Sequence, residues 1–243
     1  MRVKLTLEYD GKNYCGWQWQ RGQDSIQARL EAALARIFSQ PVRVRAAGRT
    51  DAGVHALGQV AAFDLPREFA LEELARALNA LLPADIAIRT AAVAPKDFDP
   101  RRAARARVYE YHLLNQTARS AFAYRYAWLV REPLDPAALE RAARVFLGEH
   151  DFAAFRSVGS EEKTTIRRVY HSEWRVEGAR FIYTVEATAF LRHMVRTMVA
   201  AMVEVGRGRL DSSALIKVIE SRDRARAPAA APACGLFLRA VRY

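Results

Sequence analysis

The sequence predicts an α+β protein made of two ferredoxin-like halves, each in the order β-α-β-β-α-β, with antiparallel sheets joined around a central cleft and helices on the outer face. Three observations lead to this prediction. Short runs alternate apolar and polar residues, longer runs repeat apolar residues at helical spacing, and the order of these runs in residues 1–100 recurs in residues 101–243. With 243 residues and 51% hydrophobic content, the chain can bury a sizeable core.

The first half is predicted to contain six elements. From their periodicity they are a strand at residues 3–9, a helix at 26–38, strands at 42–45 and 59–63, a helix at 71–82 and a strand at 86–93. Asp24 and Gln27 have the spacing of a capping box and are predicted to open the first helix. Pro83 is predicted to end the second helix, because proline cannot continue it.

The second half is predicted to repeat this order after a connector at residues 95–107. Its elements are a strand at 108–114, a helix after Pro136, strands at 168–176 and 180–187, a helix with a methionine stripe, a short helix near 215–219 and a strand at 236–243. The stripe consists of Met194, Met198 and Met202. We interpret it as core rather than a cofactor site, because methionine commonly fills gaps between packed elements.

The charge of the chain favours a polyanionic partner. Lys and Arg total 38 against 27 Asp and Glu, which gives a formal net charge of +11. Only five of these cations are lysine, so the excess is almost wholly arginine. Because guanidinium groups grip phosphate bidentately and stack on bases, the composition favours nucleic acid over a membrane surface. It does not separate RNA from DNA.

Several classes of protein are disfavoured by what the sequence lacks. It has no run of about 18 apolar residues, so no membrane span is expected. The N-terminus resembles a strand rather than a signal peptide, and Cys15 and Cys234 are too few for a disulfide framework, so a cytoplasmic location is expected. No other ligands complete a metal site around His55 or His193, which are interpreted as structural. Neither a metal nor a cofactor is expected.

One loop carries the residues best suited to chemistry. Residues 46–56 lie between two predicted strands and place Asp51 between Gly48 and Gly53, with Arg49 two residues before it. Glycine lets a backbone turn tightly and approach a ligand closely. By themselves these residues leave Asp51 as either a turn residue or a functional carboxylate.

The string G-R-T-D-A-G-V-H, from Gly48 to His55, resembles the signature loop of the TruA family of tRNA pseudouridine synthases. Further similarities to the family lie in order along residues 2–243. They are Tyr9-Asp10-Gly11, Tyr14, Gly16-Trp17-Gln18, Gln20, Asn79, Leu82-Pro83, Asp85-Ile86, His150-Asp151-Phe152, Phe155, Phe190-Leu191-Arg192-His193-Met194-Val195-Arg196, Pro232-Ala233 and Gly235-Leu236.

The resemblance implies a reaction and its substrate. The enzyme would isomerise uridine to pseudouridine in the anticodon stem-loop of tRNA, at positions 38, 39 and 40, as a homodimer without a cofactor. The N1–C1′ bond breaks, the uracil turns, and C5 bonds to C1′. Because the uridine is stacked, it must first be flipped out. Asp51 would be the catalytic carboxylate, acting as a nucleophile at C1′, as a nucleophile on the base, or as a general base.

The resemblance also assigns roles to other residues. In the half at residues 1–100, which carries the Asp51 loop, Arg49 would fill the gap or grip a phosphate as the nucleotide flips. In the half at residues 101–243, Tyr109 would stack on the base and Leu236 would pack against its other side. Arg196, on the helix of the F-L-R-H-M-V-R motif, would keep Asp51 charged, and Arg192 would lie one turn earlier on the same face. The alternative for Arg196 is a surface arginine on an amphipathic helix.

A run of arginines precedes Tyr109. Such a run is usually a solvated face, but beside a stacking tyrosine it is interpreted as a guide for the RNA backbone. Its members are Arg101, Arg102, Arg105 and Arg107. For Tyr111, which shares the strand face of Tyr109, core packing is the favoured interpretation.

Two other functions compete with the synthase. A catalytically silent RNA-binding protein could use the same sheet layout, since fold does not fix activity. It would need neither Asp51 nor Arg196, yet both are present. A metal-dependent nuclease would need a cluster of carboxylates at the cleft, and the G-R-T-D-A-G-V-H loop supplies only Asp51. The synthase is therefore the favoured interpretation.

Overall fold

The structure, a computed structural model, describes residues 1–159 and 164–243, and these residues form ten strands and five α-helices. The predicted mixed α+β class is confirmed. In chain order the elements are β1 (Arg2–Tyr9), α1 (Ile26–Phe38), β2 (Arg45–Ala46), β3 (His55–Asp64), α2 (Leu71–Leu81), β4 (Ile86–Ala94), β5 (Ala106–Asn115), β6 (Trp128–Val130), α3 (Pro136–Arg144), β7 (Gly148–Asp151), β8 (Ile166–Glu177), β9 (Arg180–Ala187), α4 (Met194–Gly206), α5 (Ser212–Ser221) and β10 (Leu236–Arg242).

The chain divides into two compact units. The first comprises Met1–Arg105 and Phe237–Tyr243, and the second comprises Ala106–Leu236. In the first unit the strands lie in the order β4-β1-β3-β10, with β2 also on β3. β1 is antiparallel to both of its neighbours, but β10 is parallel to β3, so the expectation of wholly antiparallel pairing is wrong there. The alternation of β1 gives one fully buried face, formed by Val3, Leu5 and Leu7.

The second unit is built around β5, β9, β8 and β7, which are antiparallel in that order. The short β6 is parallel to β5, a second exception to the predicted antiparallel pairing. Helix α4 is buried along almost its whole length, and Met194, Met198 and Met202 are fully enclosed. The interpretation of the methionine stripe as core is therefore confirmed. Gly206 lets α4 approach α3, because a Cβ there would lie 2.9 Å from the Leu139 side chain.

The strand predicted at residues 42–45 is wrong, because only Arg45–Ala46 pair as β2. Val42 and Val44 are buried as an alternating pattern requires, but Val44 donates its backbone N–H to a carboxylate oxygen of Glu31 at 3.0 Å rather than to a neighbouring strand. Glu31 also accepts from Gln27 and pairs with Arg43. The side chain of a helix residue therefore replaces the strand ladder.

The start of α1 also differs from the prediction. Ser25, and not Asp24, caps the helix, and its hydroxyl accepts the backbone N–H of Ala28 at 3.3 Å. Asp24 instead forms a two-pronged ion pair with Arg29. Both residues are good N-caps, and the one with extended backbone immediately before the first helical residue takes the role. At α3 the prediction is confirmed, since Pro136 occupies the first turn, where its missing N–H costs nothing.

Candidate active site

The Gly48–His55 loop is hydrogen-bonded to the N-terminal segment that contains Tyr14 and Gly16-Trp17-Gln18, which also resembles the family. Trp17 donates its backbone N–H to the Thr50 carbonyl at 3.1 Å, and Gly53 donates to the Tyr14 carbonyl at 3.3 Å. A Cβ on Gly16 would lie 2.4 Å from the Thr50 oxygen, so only glycine allows this approach. The two sequence motifs are therefore parts of one structure.

A buried polar network fixes the loop at its centre. The hydroxyls of Tyr9 and Thr50 share a hydrogen bond of 2.8 Å. The amide of Gln59, which is fully buried on β3, donates to the Gly48 carbonyl at 2.9 Å and to the Tyr9 hydroxyl at 3.4 Å. Burial raises the pKa of Tyr9 to about 12, against the hydrogen bonds from Thr50 and Gln59, so its hydroxyl stays neutral at physiological pH. Paired polar groups of this kind give a loop a single conformation.

Asp51 lies at the turn of this loop. Its carbonyl accepts the backbone N–H of Val54 at 3.1 Å, and Gly53 has a φ of +76°, as the third residue of a type II turn requires. Asp51 is half-buried and Arg49 is exposed. The side chain of His55, one of the two predicted structural histidines, is buried against Phe237 and accepts the backbone N–H of Gly11 at 3.1 Å. The turn is thus fixed through main-chain hydrogen bonds.

The predicted residues of the second unit form a cluster of their own. Arg196 is half-buried in the first turn of α4, and its Nε donates to the Ala231 carbonyl at 2.7 Å. Ala231 returns a backbone N–H to the Arg196 carbonyl at 3.1 Å. A cation is unfavourable at a helix N-terminus by about 0.3–1 kcal/mol, because it faces the positive end of the helix dipole. Helix stability therefore does not explain an arginine at this position.

The helix predicted over the F-L-R-H-M-V-R motif starts later than expected. His193 is the N-cap, with a φ of +65°, so only Met194 and the residues after it are helical. Arg192 lies before the helix and is exposed, and its carbonyl accepts the backbone N–H of Ser157 at 2.9 Å. The prediction that Arg192 shares a helix face with Arg196 is wrong, because the left-handed residue between them breaks the periodicity.

A strand and a loop complete this cluster. Tyr111 is fully buried, as the sequence predicted, and its hydroxyl donates to the Pro232 carbonyl at 2.7 Å. Burial raises the pKa of Tyr111 well above its ordinary value, and the positive charge of Arg196 opposes that shift. A Cβ on Gly235 would lie 2.8 Å from the Tyr111 ring, so glycine is required where the loop passes the strand.

The two residues assigned to base contact are largely covered. Tyr109 is 9% exposed, and its ring meets Phe190 edge to face at 5.1 Å. Leu236, the first residue of β10, is buried.

The arginine run falls into two groups. Arg101, Arg102 and Arg105 have exposed side chains. The backbone N–H groups of Arg101 and Arg102 donate to one oxygen of Asp99, at 2.9 and 3.0 Å, which lowers the pKa of that carboxyl. Arg107 is half-buried and donates to the Thr188 carbonyl at 2.9 Å.

Among residues 1–159 and 164–243, no three His, Cys, Asp or Glu side chains gather as metal ligands would. In the same two ranges no helix is long and apolar enough to cross a membrane.

Comparison with known proteins identifies the family. A model of the tRNA pseudouridine synthase family matches residues 6–101 and 142–243. Proteins named tRNA pseudouridine synthase A are similar over nearly the whole chain. That of Geobacter sulfurreducens is 47% identical and that of Pelobacter propionicus 44%, each over 99% of both chains, and that of Myxococcus xanthus is 45% identical over 100% of this chain and 92% of its own. The chain belongs to the tRNA pseudouridine synthase family.

This membership confirms the resemblance found in the sequence, and with it an isomerase that acts on uridine in tRNA. A solved Cbf5-Nop10-Gar1 complex is a weaker match to this synthase, with 15% identity, coverage of 82% of this chain and 54% of that one, and a TM-score of 0.32. That likeness is too small to bear on the fold.

Two supports of candidate residues in this synthase were not predicted from the sequence: Gln59 in the first unit and the Ala231 carbonyl in the second. A glutamine in an apolar strand was the only available signal for the first. Such a residue is buried only when its amide is hydrogen-bonded.

We expect Gln59→Leu to lower turnover. The Gly48 carbonyl and the Tyr9 hydroxyl would lose a buried donor, which costs about 1–3 kcal/mol and loosens the loop that carries Asp51. The matched control is Ser172→Ala, which removes a buried hydroxyl that bonds Ala143 and Tyr183 in the second unit. Both variants should melt at lower temperature, but only Gln59→Leu should lower kcat, by about ten-fold. Equal effects on kcat would make Gln59 an ordinary core residue.

Proposed function

We propose that this synthase isomerises uridines 38, 39 and 40 in the anticodon stem-loop of tRNA, with Asp51 as the catalytic carboxylate. One observation carries the assignment of Asp51. The matched G-R-T-D-A-G-V-H loop is fixed by main-chain bonds and by the buried Tyr9–Thr50–Gln59 network, and the half-buried Asp51 lies at the turn of this loop. A carboxylate on a rigid, internally bonded turn is held in the way that a catalytic group requires.

Isomerisation of the uridine requires one ionised carboxylate and a uridine that is flipped out of its stack. Flipping costs a few kcal/mol, which stacking and polar contacts of the extruded nucleotide must offset. In this proposal Tyr109 stacks on the uracil, Leu236 packs against its other side, and Arg49 takes the place of the flipped nucleotide or holds its phosphate. Asp51 then attacks C1′, attacks the base, or removes a ribose proton. All three routes use the same carboxylate and expel hydrogen from C5 of the uridine.

Arg196 is proposed as the cation that keeps the catalytic carboxylate ionised. Desolvation in a closed site disfavours the charged form of an acid, and a nearby cation opposes that effect. Two observations within the second unit support the role. Arg196 stands where a helix disfavours positive charge, and its Nε bond to Ala231 fixes the direction of the side chain.

Three finer proposals accompany this function. The synthase acts as a homodimer in which each tRNA touches both subunits, and it works in the cytoplasm. Each half is ferredoxin-like. The first unit supports the last proposal with the order β1-α1-β2-β3-α2-β4 and the strand order β4-β1-β3, with β2 on β3. The second supports it with β5, α3, β8, β9 and α4 in sequence and β5-β9-β8 in the sheet.

Tritium release tests the function directly. Forming the new bond at C5 expels the hydrogen there, so tRNA transcribed with 5-tritiated uridine should lose tritium to water. We expect release from a transcript with uridine at positions 38 to 40 and none when those positions are cytidine. Release that persists with the cytidine transcript would contradict the target positions. No release from any uridine-bearing anticodon stem-loop would contradict the synthase and favour the catalytically silent RNA-binding protein.

The three exposed arginines of the run should contribute to tRNA affinity, and the dependence of that affinity on salt concentration should measure their contribution. Each phosphate contact releases counterions, so changing Arg101, Arg102 and Arg105 to Gln should flatten the plot of log affinity against log salt by about 0.7 per contact. Arg107 is tested separately, because its bond to Thr188 also supports the fold. The measurement is the tRNA dissociation constant between low and moderate salt.

The control variant removes three positive charges as well, but from the surfaces of helices. Arg36, Arg76 and Arg144 are exposed on α1, α2 and α3, and their triple Gln variant should keep more of the wild-type slope. Tyr109→Ala should do the opposite of the arginine variant, lowering turnover while it leaves the slope intact. A wild-type slope in the Arg101/Arg102/Arg105 variant would make the run an ordinary solvated face.

A further inference from the structure

A loop between β5 and β6 presents aromatic side chains to solvent. This aromatic loop, residues 116–127, is closed at its base by Asn115, whose amide donates to the carbonyls of Val130 and Glu132 at 2.9 and 2.8 Å. The parallel pairing of β5 with β6 holds the same two ends together. Compact surface loops with ends tied in this way often carry function.

Hydrogen bonds between residues of the aromatic loop order its backbone. The Ser120 hydroxyl accepts the backbone N–H of Ala123 at 3.0 Å, and its carbonyl accepts that of Tyr124 at 3.2 Å. The Gln116 side chain donates to the Ala118 carbonyl at 2.7 Å. These bonds set a single turn of 3₁₀ helix at Ala123–Arg125, so the backbone that carries the exposed rings is ordered by hydrogen bonds of the loop itself.

The side chains on this turn are unusually exposed for their type. Phe122 is 92% exposed, Tyr124 58% and Tyr126 39%. Three aromatic rings within five residues of one ordered turn expose more apolar surface than scattered surface residues do. A surface of this kind marks a site of interaction.

The charge of the same segment indicates the partner. Residues 117–131 contain Arg119, Arg125 and Arg131 and no acidic residue. The guanidinium carbon of Arg125 lies 5.9 Å from the centre of the Tyr126 ring, within cation–π range. Exposed rings interleaved with arginines bind single-stranded nucleic acid, because bases stack on the rings while the cations hold the backbone.

A second copy of the chain fits this surface less well. In a two-fold dimer the residues at the axis meet their own copies, so a dimer centred on this loop would bring its arginines together. Like charges brought together across an interface cost several kcal/mol.

The aromatic loop adjoins the Arg196 cluster within the second unit. The Cys234 sulfur lies 3.8 Å from the Ala127 carbonyl, at the end of the loop. The ring of Trp128, the next residue, meets that of Tyr111 edge to face at 6.5 Å. Tyr111 and the loop that contains Cys234 are the elements that support Arg196.

We propose that the aromatic loop is a second RNA-binding surface of this synthase, separate from the pocket for the isomerised uridine. An unpaired base of the tRNA stacks on Phe122 or Tyr124, and Arg119 binds a phosphate beside it. The proposal rests on the proposed function only in taking tRNA as the substrate, and it adds a contact that fixes the tRNA outside the reacting nucleotide.

The test is the affinity of the full-length protein for unmodified full-length tRNA, measured by filter binding. Phe122→Ala should weaken binding about ten-fold, the effect of one lost base stack, and Phe122→Leu should weaken it similarly, since leucine is apolar without a π face. Phe122→Trp should bind as tightly as wild type. Tyr170→Ala is the matched control, because Tyr170 is 53% exposed on β8 outside the loop, and its affinity should not change.

Three results would overturn the proposal. They are wild-type affinity in Phe122→Ala, wild-type affinity in Phe122→Leu, and a change in the sedimentation of the RNA-free protein on Phe122→Ala, which would assign the loop to contact between copies. The readout is binding, so it is separate from tritium release. Tritium release with wild-type binding in Phe122→Ala would sink this inference alone. No release, with weakened binding in Phe122→Ala, would sink the proposed target and catalytic role alone.

Discussion

Asp51→Asn is expected to abolish pseudouridine formation while leaving tRNA affinity within about three-fold of wild type. The substitution preserves size and removes the ionisable carboxylate, and general acid–base catalysis alone contributes about 10²–10⁴-fold to a rate. A nucleophilic role would make the loss larger, since an amide does not form the covalent intermediate. Tritium release should therefore fall to background.

The fold of the variant should be unaffected, and this makes the result interpretable. The carbonyls of Gly48 and Thr50 and the side chains of Tyr9 and Gln59 support the Asp51 turn, and the substitution changes none of them. Melting temperature should stay within a few degrees of wild type. Asp97→Asn, at an exposed carboxylate of the same unit, should keep full activity.

Asp51→Glu adds a finer test. It keeps the charge and moves the carboxylate by one methylene, which a positioned catalytic group tolerates poorly. Turnover by Asp51→Asn within about ten-fold of wild type would end the catalytic assignment of Asp51.

The helices and strands were largely predictable, because each has a face whose burial imposes a period on the sequence. Val3, Leu5 and Leu7 alternate in β1 and are fully buried, and the methionines of α4 repeat at helical spacing inside the second unit. The prediction was wrong at residues 42–45, where the same alternation buries Val42 and Val44 but Glu31 takes the place of a strand partner. Apolar periodicity predicts which side chains are buried, but it does not predict which groups form hydrogen bonds with the backbone.

The candidate site was predictable only in part. The motif around Asp51 is contiguous, so a short string of letters reveals it. Its supports are not contiguous, because Gln59 lies 50 residues from Tyr9 and Ala231 lies 35 from Arg196. Carbonyl acceptors such as those of Gly48 and Ala231 exist at every residue, so no side-chain pattern marks the ones that are used. The short β6 was missed for a similar reason, since three residues carry too little alternation.

Arg196→Met should also cause activity to collapse, with the fold retained. Arginine and methionine are both good helix formers, and removing a cation from the first turn of α4 relieves an unfavourable interaction with the helix dipole. The variant loses the Nε bond to the Ala231 carbonyl, and Ala231 is buried, so the loss of this donor costs about 1–3 kcal/mol. We therefore expect a melting temperature a few degrees below that of wild type and a folded protein.

The loss of rate follows if Arg196 serves the catalytic carboxylate. Removing one member of a desolvated ion pair costs about 3–5 kcal/mol, and each 1.36 kcal/mol is ten-fold in rate, so kcat should fall about 150- to 5000-fold. A carboxylate without its cation takes up a proton more readily, so the acidic limb of the pH–rate profile should move to higher pH. Measuring kcat by tritium release across pH shows both effects.

Two further variants separate charge from packing. Arg196→Lys keeps the charge but loses the planar fork and the bond to Ala231, so it should recover part of the rate and return the acidic limb toward the wild-type position. Arg175→Met removes an exposed arginine of β8 that pairs with Glu177 and should match wild type in rate and profile. If Arg196→Lys were as slow as Arg196→Met with an unmoved profile, the bond to Ala231 would be the role of Arg196. Near-normal activity in Arg196→Met itself would show that the catalytic carboxylate is kept ionised by another group.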